Sequence, residues 1–226
     1  MKKSLEIIAK IKSDFPTKFG VPRQSSLAPS LVSYIVFEKK YRNKDALRGL
    51  QEYSHLWVLW NFSKNEREDW SPTVRPPKLG GNERVGVFAT RSPFRPSPIG
   101  LSCVKIESIE KSEKYGYVIV ISGADMIDGT PIFDIKPYIP YTDCKTDAKG
   151  SFAQEKSEDR IKVEIEEKLL EKVQEDKRQA LLEVLSLDPR PGYKDEDKDK
   201  VYGFEFAGKE VKFVVANGIL KVVDIL

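Results

Sequence analysis

Short apolar and aromatic runs, separated by turns rich in proline and glycine, dominate the first two thirds of the chain. Helical signals are scarce there, although Asn43 could cap a short helix that runs through Leu50. The run SHLWVLWNF at 54–62 is almost continuously apolar, as in a buried strand. Many short strands with few helices predict a β-barrel or a sandwich rather than a doubly wound α/β sheet. The predicted strands cover residues 5–12, 31–38, 54–62, 85–90, 101–109 and 115–123.

The pattern changes after about residue 145. Apolar residues between 166 and 187 recur at roughly helical spacing, which predicts one or two amphipathic helices. The segment DPRPGY at 188–193 ends that pattern, and two hairpins follow, the second with an Asn217-Gly218 turn. We therefore expect a mainly β protein, with a compact β domain over residues 1–145 and a small α+β domain over residues 146–226.

Composition restricts the class of protein. The 226-residue chain has no apolar stretch of the length that crosses a bilayer, and its first apolar run is short and broken by charge, unlike a signal peptide. Two cysteines are too few for a disulfide framework, which favours a reducing cytoplasm. With only one histidine beside them, the sequence predicts no zinc site.

Charge is distributed unevenly. Residues 1–140 hold 22 Lys/Arg and 15 Asp/Glu, a balance of +7, whereas residues 141–226 hold 16 and 20, a balance of −4. This asymmetry permits an anionic partner on the first part, although an ordinary solvated surface would give the same balance.

Three polar loops combine proline with glycine, over residues 19–25, 72–102 and 125–143, and the first two also hold arginine. Proline limits the entropy lost on ordering, glycine permits a close backbone approach, and arginine binds carboxylate or phosphate groups. Each loop by itself could simply be a turn. In the second loop, however, Arg91 and Arg95 flank Ser-Pro-Phe and precede PSPIG, which is more charge and stiffness than a turn requires. This loop predicts an anion-binding site.

Other candidate residues have simpler interpretations. Asp128 could make an Asx turn or accept hydrogen bonds from a ligand. His55 fits a partly buried histidine, and Trp57, Trp60 and Phe62 fit the core. No GxGxxG follows a strand and no GxxxxGK[ST] occurs, so the two common nucleotide-binding loops have no support.

The motif segments together resemble the TsaA-like family, also called TrmO, of tRNA methyltransferases. The resemblance covers most of the chain, is most specific over residues 72–102 and is weak over 145–187 and 194–226. DPRPGY resembles a further family motif. The segments that carry the resemblance are FGVPRQ, RGLQEYSHLWVLWNF, PTVRPPKLGGNERVGVFATRSPFRPSPIGLS and DMIDGTPIFDIKPYIPYTD.

The resemblance implies a compact β-barrel that binds S-adenosylmethionine without a Rossmann fold. It also implies a homodimer with cofactor sites near the subunit interface. The implied reaction is N6-methylation of threonylcarbamoyl-adenosine (t6A to m6t6A) at position 37 of tRNA, next to the anticodon. Two alternatives stay open: a non-catalytic RNA-binding module, and a methyltransferase of this fold that acts on another substrate.

The resemblance also implies roles for individual residues. Substrate contacts are expected at Arg95, Arg190 and Tyr193. Family members often have Phe-His after the HLW strand, where this chain has Phe62-Ser63-Lys64, so any role of a histidine side chain is lost there, while backbone groups can still contact the cofactor. A base that removes the N6 proton would assist the transfer, and the unranked candidates are Asp134, Asp128, Tyr138 and His55. The implied cofactor-binding residues are Pro22, Arg23, Gln24, Ser63, Lys64, Arg91, Leu101, Asp128, Gly129, Thr130 and Pro131.

Overall fold

Six antiparallel strands form the larger sheet of the computed structural model, which describes residues 4–64, 69–76, 79, 83–151, 160–190 and 200–226. The hydrogen-bonded order is β1-β2-β7-β6-β3-β8, and β8 pairs back to β1 through Ala9 and Ile132, so the order closes on itself. A hairpin of β4 and β5 projects between β3 and β6. The strands are β1 (Ala9–Lys12), β2 (Val32–Phe37), β3 (His55–Asn61), β4 (Thr73–Val74), β5 (Val85–Gly86), β6 (Ile99–Ser112), β7 (Gly116–Ser122) and β8 (Pro131–Pro137).

Alternate side chains of each strand form the core inside this sheet. In β3 the buried positions are Leu56, Val58 and Trp60, and the residues between them face outward. Successive side chains of a strand point to opposite faces, so a run that looks continuously apolar still divides into an inner and an outer set. The inner set packs with Ile35 and Ile119 of β2 and β7 into one core.

A second, four-stranded sheet lies in the C-terminal part, in the order β10-β11-β12-β9. Its first strand in the chain, β9, runs parallel to β12, and the other pairs are antiparallel. Asn217 and Gly218 have φ values of 52° and 76°, the left-handed pair that a two-residue turn between β11 and β12 requires. The elements are α1 (Pro140–Asp143), β9 (Lys162–Glu164), α2 (Glu167–Leu170), α3 (Glu175–Ser186), β10 (Tyr202–Phe206), β11 (Lys209–Ala216) and β12 (Ile219–Ile225).

The segment between β1 and β2 belongs to the second core, not the first. Phe15, Ala28 and Leu31 are fully buried against α3 and the C-terminal sheet. Polar contacts hold the same segment, since Asp14 forms an ion pair with Lys177 at 2.7 Å. The sequence pattern changes from strands to helices near residue 145. Packing does not follow that boundary, because the β1–β2 segment belongs to the core of the C-terminal part.

The prediction of a mainly β protein is confirmed, as are the C-terminal hairpins and the helices within 166–187. Residues 85–90 were expected to form one strand; instead a two-residue strand leads into a 3-10 turn over Val87–Ala89. Asn43 does cap a helix, but it is a 3-10 turn that ends at Leu47. Strands β4, β8 and β9 were not predicted. No helix among the described residues is long and apolar enough to cross a membrane.

Gly20 allows the β1–β2 segment to approach the C-terminal core. Its φ is +92°, and a Cβ atom added there would lie 2.4 Å from Cδ2 of Phe204. Phe204 is buried and packs against Phe15, Phe19 and Phe213, so its ring has little room to move.

We therefore expect Gly20→Ala to lower the free energy of unfolding by about 2–4 kcal/mol, from left-handed backbone strain and overpacking together. Gly49→Ala is the matched control, since Gly49 has a φ of +86° but nothing within 4 Å of the added Cβ. The control isolates the backbone cost of about 1–2 kcal/mol. Equal urea midpoints for the two variants would show that the contact with Phe204 does not constrain the loop.

Candidate functional site

The segments that hold the three predicted loops meet at one end of the larger sheet, although the third predicted loop continues along β8 to the other end. Because neighbouring strands are antiparallel, the ends of β1, β3 and β7 meet the beginnings of β2, β6 and β8. The register places Asn61 opposite Ile99 and Val32 opposite Ser122, which fixes this end of the sheet. The long segments 13–31, 62–98 and 123–130 are therefore neighbours, although they are far apart in the sequence.

Direct contacts connect the loops to one another. Arg91 donates from Nη1 to Oε1 of Gln24 at 2.6 Å, which joins the second loop to the first. The backbone N–H of Ser26 donates to the carbonyl of Gly123 at 2.7 Å, which joins the first loop to the third. Arg91 is exposed, so its guanidinium can meet a ligand from solvent.

A buried chain of polar side chains runs beneath Arg91. The indole of Trp60 donates to Oγ of Ser102 at 2.9 Å, and Ser102 donates to Oδ1 of Asp125 at 2.5 Å. Burial raises the pKa of Asp125, and the Ser102 hydrogen bond and the charge of Arg91 partly oppose that rise. The chain thus joins strand β3 to the third loop through an acid shifted toward its neutral form.

Gly100 makes this arrangement possible. It pairs with Trp60, and a Cβ atom there would lie 2.2 Å from Cε2 of the indole. Only glycine lets the ring lie across β6 and reach Ser102.

Asp125 is the residue that sequence reasoning missed. It opens the third predicted loop, three residues after the end of β7, but no motif singles it out. An acidic residue shortly after a mainly apolar strand is the signal that the sequence offers, and it is a weak one.

The turn over Asp128–Pro131 is attached to the end of β1. Asp128 accepts a hydrogen bond from the backbone N–H of Ser13 at 3.0 Å, and its own N–H donates to the carbonyl of Phe15 at 2.7 Å. Thr130 is buried, and its hydroxyl donates to the carbonyl of Ile127 at 2.7 Å. Asp128 is exposed, and its carboxylate connects the turn to the residue that follows β1.

The other implied cofactor residues lie at or near the same end. Pro22 is buried, whereas Arg23, Ser63 and Lys64 are exposed, and the ammonium of Lys18 donates to the carbonyl of Lys64. Leu101 points outward from β6 opposite Leu59 of β3, and 48% of it is exposed. Some of these positions therefore face outward from the sheet rather than into its interior.

Arg190 contacts the protein more than the solvent. It forms a bidentate pair with Asp188 at 2.8 and 2.7 Å, and only 14% of its side chain is exposed. Burial alone would raise the pKa of Asp188, but the hydrogen bond and charge of Arg190, together with the charge of Arg23, lower it. Arg23 donates to the carbonyl of Arg190 at 2.9 Å, so this loop borders the implied cofactor turn. Tyr193 lies outside the described residues.

The four candidate bases do not lie together. His55 begins β3 and Tyr138 follows β8, where the Tyr138 N–H donates to the carbonyl of His55 at 2.9 Å. This is the opposite end of the sheet, about 20 Å along β3 from the loops. The geometry therefore argues against His55 and Tyr138 as the base for a reaction beside Arg91 of the same subunit.

Asp128 and Asp134 lie nearer to the loops. Asp134 is on the outer face of β8, paired with Lys136 at 2.7 Å. It lies opposite Leu59, which in turn lies opposite Leu101 of β6. Within the described part of the chain, no group of three or more His, Cys, Asp or Glu side chains could hold a metal ion.

Comparison with known proteins supports the family resemblance that the motif segments carry. The family model for the tRNA-methyltransferase O N-terminal domain matches residues 10–144, and the model for the TrmO C-terminal domain matches residues 158–226. The chain is 43% identical to a tRNA (adenine(37)-N6)-methyltransferase of Escherichia coli over 204 residues, which is 87% of this chain and 86% of that protein.

Two further similarities extend the comparison. A putative S-adenosylmethionine-dependent methyltransferase, RcsF, of Pseudomonas aeruginosa is 38% identical over 210 residues, 90% of this chain and 88% of that protein. A crystal structure of TrmO from Pseudomonas aeruginosa, 30% identical, superposes with a TM-score of 0.80 over 100% of both chains. The chain therefore belongs to the TrmO family of tRNA methyltransferases.

Proposed function

We propose that this chain transfers a methyl group from S-adenosylmethionine to N6 of threonylcarbamoyl-adenosine at position 37 of tRNA. Membership of the TrmO family and the activities named for its relatives support the enzyme class, the cofactor and the adenine. The observation that carries the proposal is the exposed guanidinium of Arg91, held by Gln24 where the three loops meet.

The residues at this end of the sheet fit the proposed cofactor. S-adenosylmethionine carries an α-carboxylate and, when bound, supplies a methyl group on a sulfonium. Arg91 offers a charge-assisted hydrogen bond to that carboxylate. The residues that would hold the remainder are Pro22, Arg23, Gln24, Ser63, Lys64, Leu101, Asp128, Gly129, Thr130 and Pro131.

The chain's own contribution to the reaction is alignment and proton removal. Holding two reactants in line supplies a large part of the rate enhancement of a displacement. The lone pair of a carbamoylated N6 is delocalised, so a nearby carboxylate that removes its proton would make the nitrogen a better nucleophile. Asp128 lies in the turn before β8, at the end of the sheet where the loops meet. Asp134 lies on the same outer face of the sheet as Leu101. We therefore keep both as candidates for this base.

Nucleoside mass spectrometry tests the proposal directly. tRNA that contains threonylcarbamoyl-adenosine is incubated with the protein and S-adenosylmethionine, and its nucleosides are analysed. A mass increase of one methyl group on that nucleoside is the expected result. Methylation of a different nucleoside would favour another substrate, and tRNA binding without any methylation would favour a non-catalytic RNA-binding module.

We further propose a division of roles along the chain, with cofactor binding by residues 1–145 and assistance in tRNA binding by residues 146–226. The contact of Arg23 with the Arg190 loop makes this division less strict than the sequence suggested. We also keep the homodimer and a cytoplasmic location as proposals.

Arg91→Ala should weaken S-adenosylmethionine binding by about 1.5–3 kcal/mol, the range for a hydrogen bond to a charged group. Arg48→Ala is the matched control, because Arg48 is also exposed but lies between β2 and β3, at the other end of the sheet. Calorimetry would measure both variants. Unchanged affinity in a folded Arg91→Ala protein would contradict the proposed role.

Arg190→Ala should weaken both cofactor and tRNA binding. Removing the guanidinium leaves the negative charge of the partly buried Asp188 carboxylate without its ion-pair partner. The loop that accepts a hydrogen bond from Arg23 should then become less ordered. The matched control is Lys221→Ala, which removes an exposed charge from β12. Isothermal titration with each ligand would measure the two affinities. A loss of affinity for tRNA alone would support a strict division of roles between the two parts of the chain.

Light scattering at micromolar concentration should give about 51 kDa, twice the chain mass of 25.7 kDa. An outward apolar strip of Leu59, Ile99 and Leu101 on β3 and β6 is our candidate interface. Leu101→Glu should then produce monomers, whereas Val201→Glu, at an exposed residue before β10, should not. A mass near 26 kDa for the unaltered protein would rule out the dimer.

A further inference from the structure

Two large aromatic side chains lie exposed on the segment between β3 and β6. The ring centroids of Trp70 and Phe88 are 6.2 Å apart, and their planes differ by 23°. Trp70 is 49% exposed and Phe88 is 71% exposed. Rings stacked on each other in solvent leave faces and edges that are open to a partner.

The backbone holds this aromatic pair in place without a ligand. The N–H of Ser71 donates to the carbonyl of Phe94 at 3.1 Å, and the N–H of Val87 donates to the carbonyl of Pro72 at 3.0 Å. The short β4–β5 hairpin lies between the two rings in the sequence. Because the rings are already ordered, a partner that stacks on them incurs little additional ordering entropy.

A positive charge lies beside the pair. The guanidinium carbon of Arg95 lies 5.9 Å from the centroid of Phe88, and Arg95 donates from Nη1 to the carbonyl of Thr90 at 3.0 Å. The described residues of 69–102 include four arginines but only Asp69 and Glu83 as acids. Exposed aromatic rings beside arginine are the combination that binds unpaired bases and their phosphates.

We propose that Trp70 and Phe88 form a stacking platform for an unpaired base of the RNA substrate, with Arg95 beside it to contact a phosphate. This inference rests on the proposed function and names the surface through which the chain would hold the anticodon loop. Stacking suits that loop because every base has an aromatic face, so one platform serves tRNAs of different sequence.

A second copy of the chain is a weaker candidate for the same surface. In a two-fold interface each patch meets its own copy, so Arg95 and the other arginines of this segment would approach like charges. RNA instead brings phosphates, which complement them. The uncharged strip of Leu59, Ile99 and Leu101 is the better surface for self-association.

Intrinsic fluorescence gives a direct test, since Trp60 is buried and Trp57 is half-buried, while Trp70 is exposed. Titration with tRNA should quench the emission of Trp70. Trp70→Leu should abolish most of that quenching. It should also raise KM for tRNA about tenfold, since stacking contributes about 1–3 kcal/mol per base. Affinity for S-adenosylmethionine should not change.

Three further variants make the result specific. Phe88→Leu should raise KM for tRNA as Trp70→Leu does, and Trp70→Phe should restore most of the lost affinity because it keeps an aromatic face. Tyr141→Leu removes an 89% exposed ring at α1, by the opposite end of the sheet, and should behave as the unaltered protein.

Two results would overturn the platform. One is an unchanged KM for tRNA in folded Trp70→Leu and Phe88→Leu proteins. The other is a shift of either variant to a lower mass in light scattering, which would place the rings in a contact between copies. Failure of the unaltered protein to bind or methylate any tRNA would instead overturn the proposed function itself.

Discussion

Antiparallel pairing of the six strands is the constraint on which the site depends. Each strand reverses the direction of its neighbour, so every second connection returns to the same end of the sheet. The connections 13–31, 62–98 and 123–130 all fall at one end, and the connections 38–54 and 113–115 fall at the other. Loops that would be mobile alone are thereby held on a rigid frame, as binding loops in other folds are. Arg91 and Gln24 meet because of strand order, not because of sequence proximity.

The segment between β1 and β2 couples this end of the sheet to the C-terminal part. Phe15 and Leu31 are buried in the second core, while Gln24, between them, contacts Arg91. A loop anchored at both ends by buried side chains has little freedom left at its middle. The C-terminal part therefore stabilises the candidate cofactor turn even where it touches no ligand, and changes in one part are expected to affect the other.

The sequence predicted most strands and the position of the loops, but not their mutual contacts. Asn217-Gly218 and the alternation of β10 and β11 are local signals, so they were interpreted correctly. Strand β8 was missed because prolines at both of its ends resemble loop punctuation. The role of Asp125, and the distance of His55 from the loops, depend on register between strands, which no local pattern contains.

Arg91 and Arg190, two of the arginines in the motif segments, differ in what surrounds their charge. Arg190 is neutralised by the carboxylate of Asp188, so an anionic ligand would have to compete with a bidentate pair. Arg91 instead donates to the neutral amide of Gln24. An arginine binds an external carboxylate well only when its own protein leaves the positive charge uncompensated. By that criterion Arg91 is suited to a ligand and Arg190 to holding a loop.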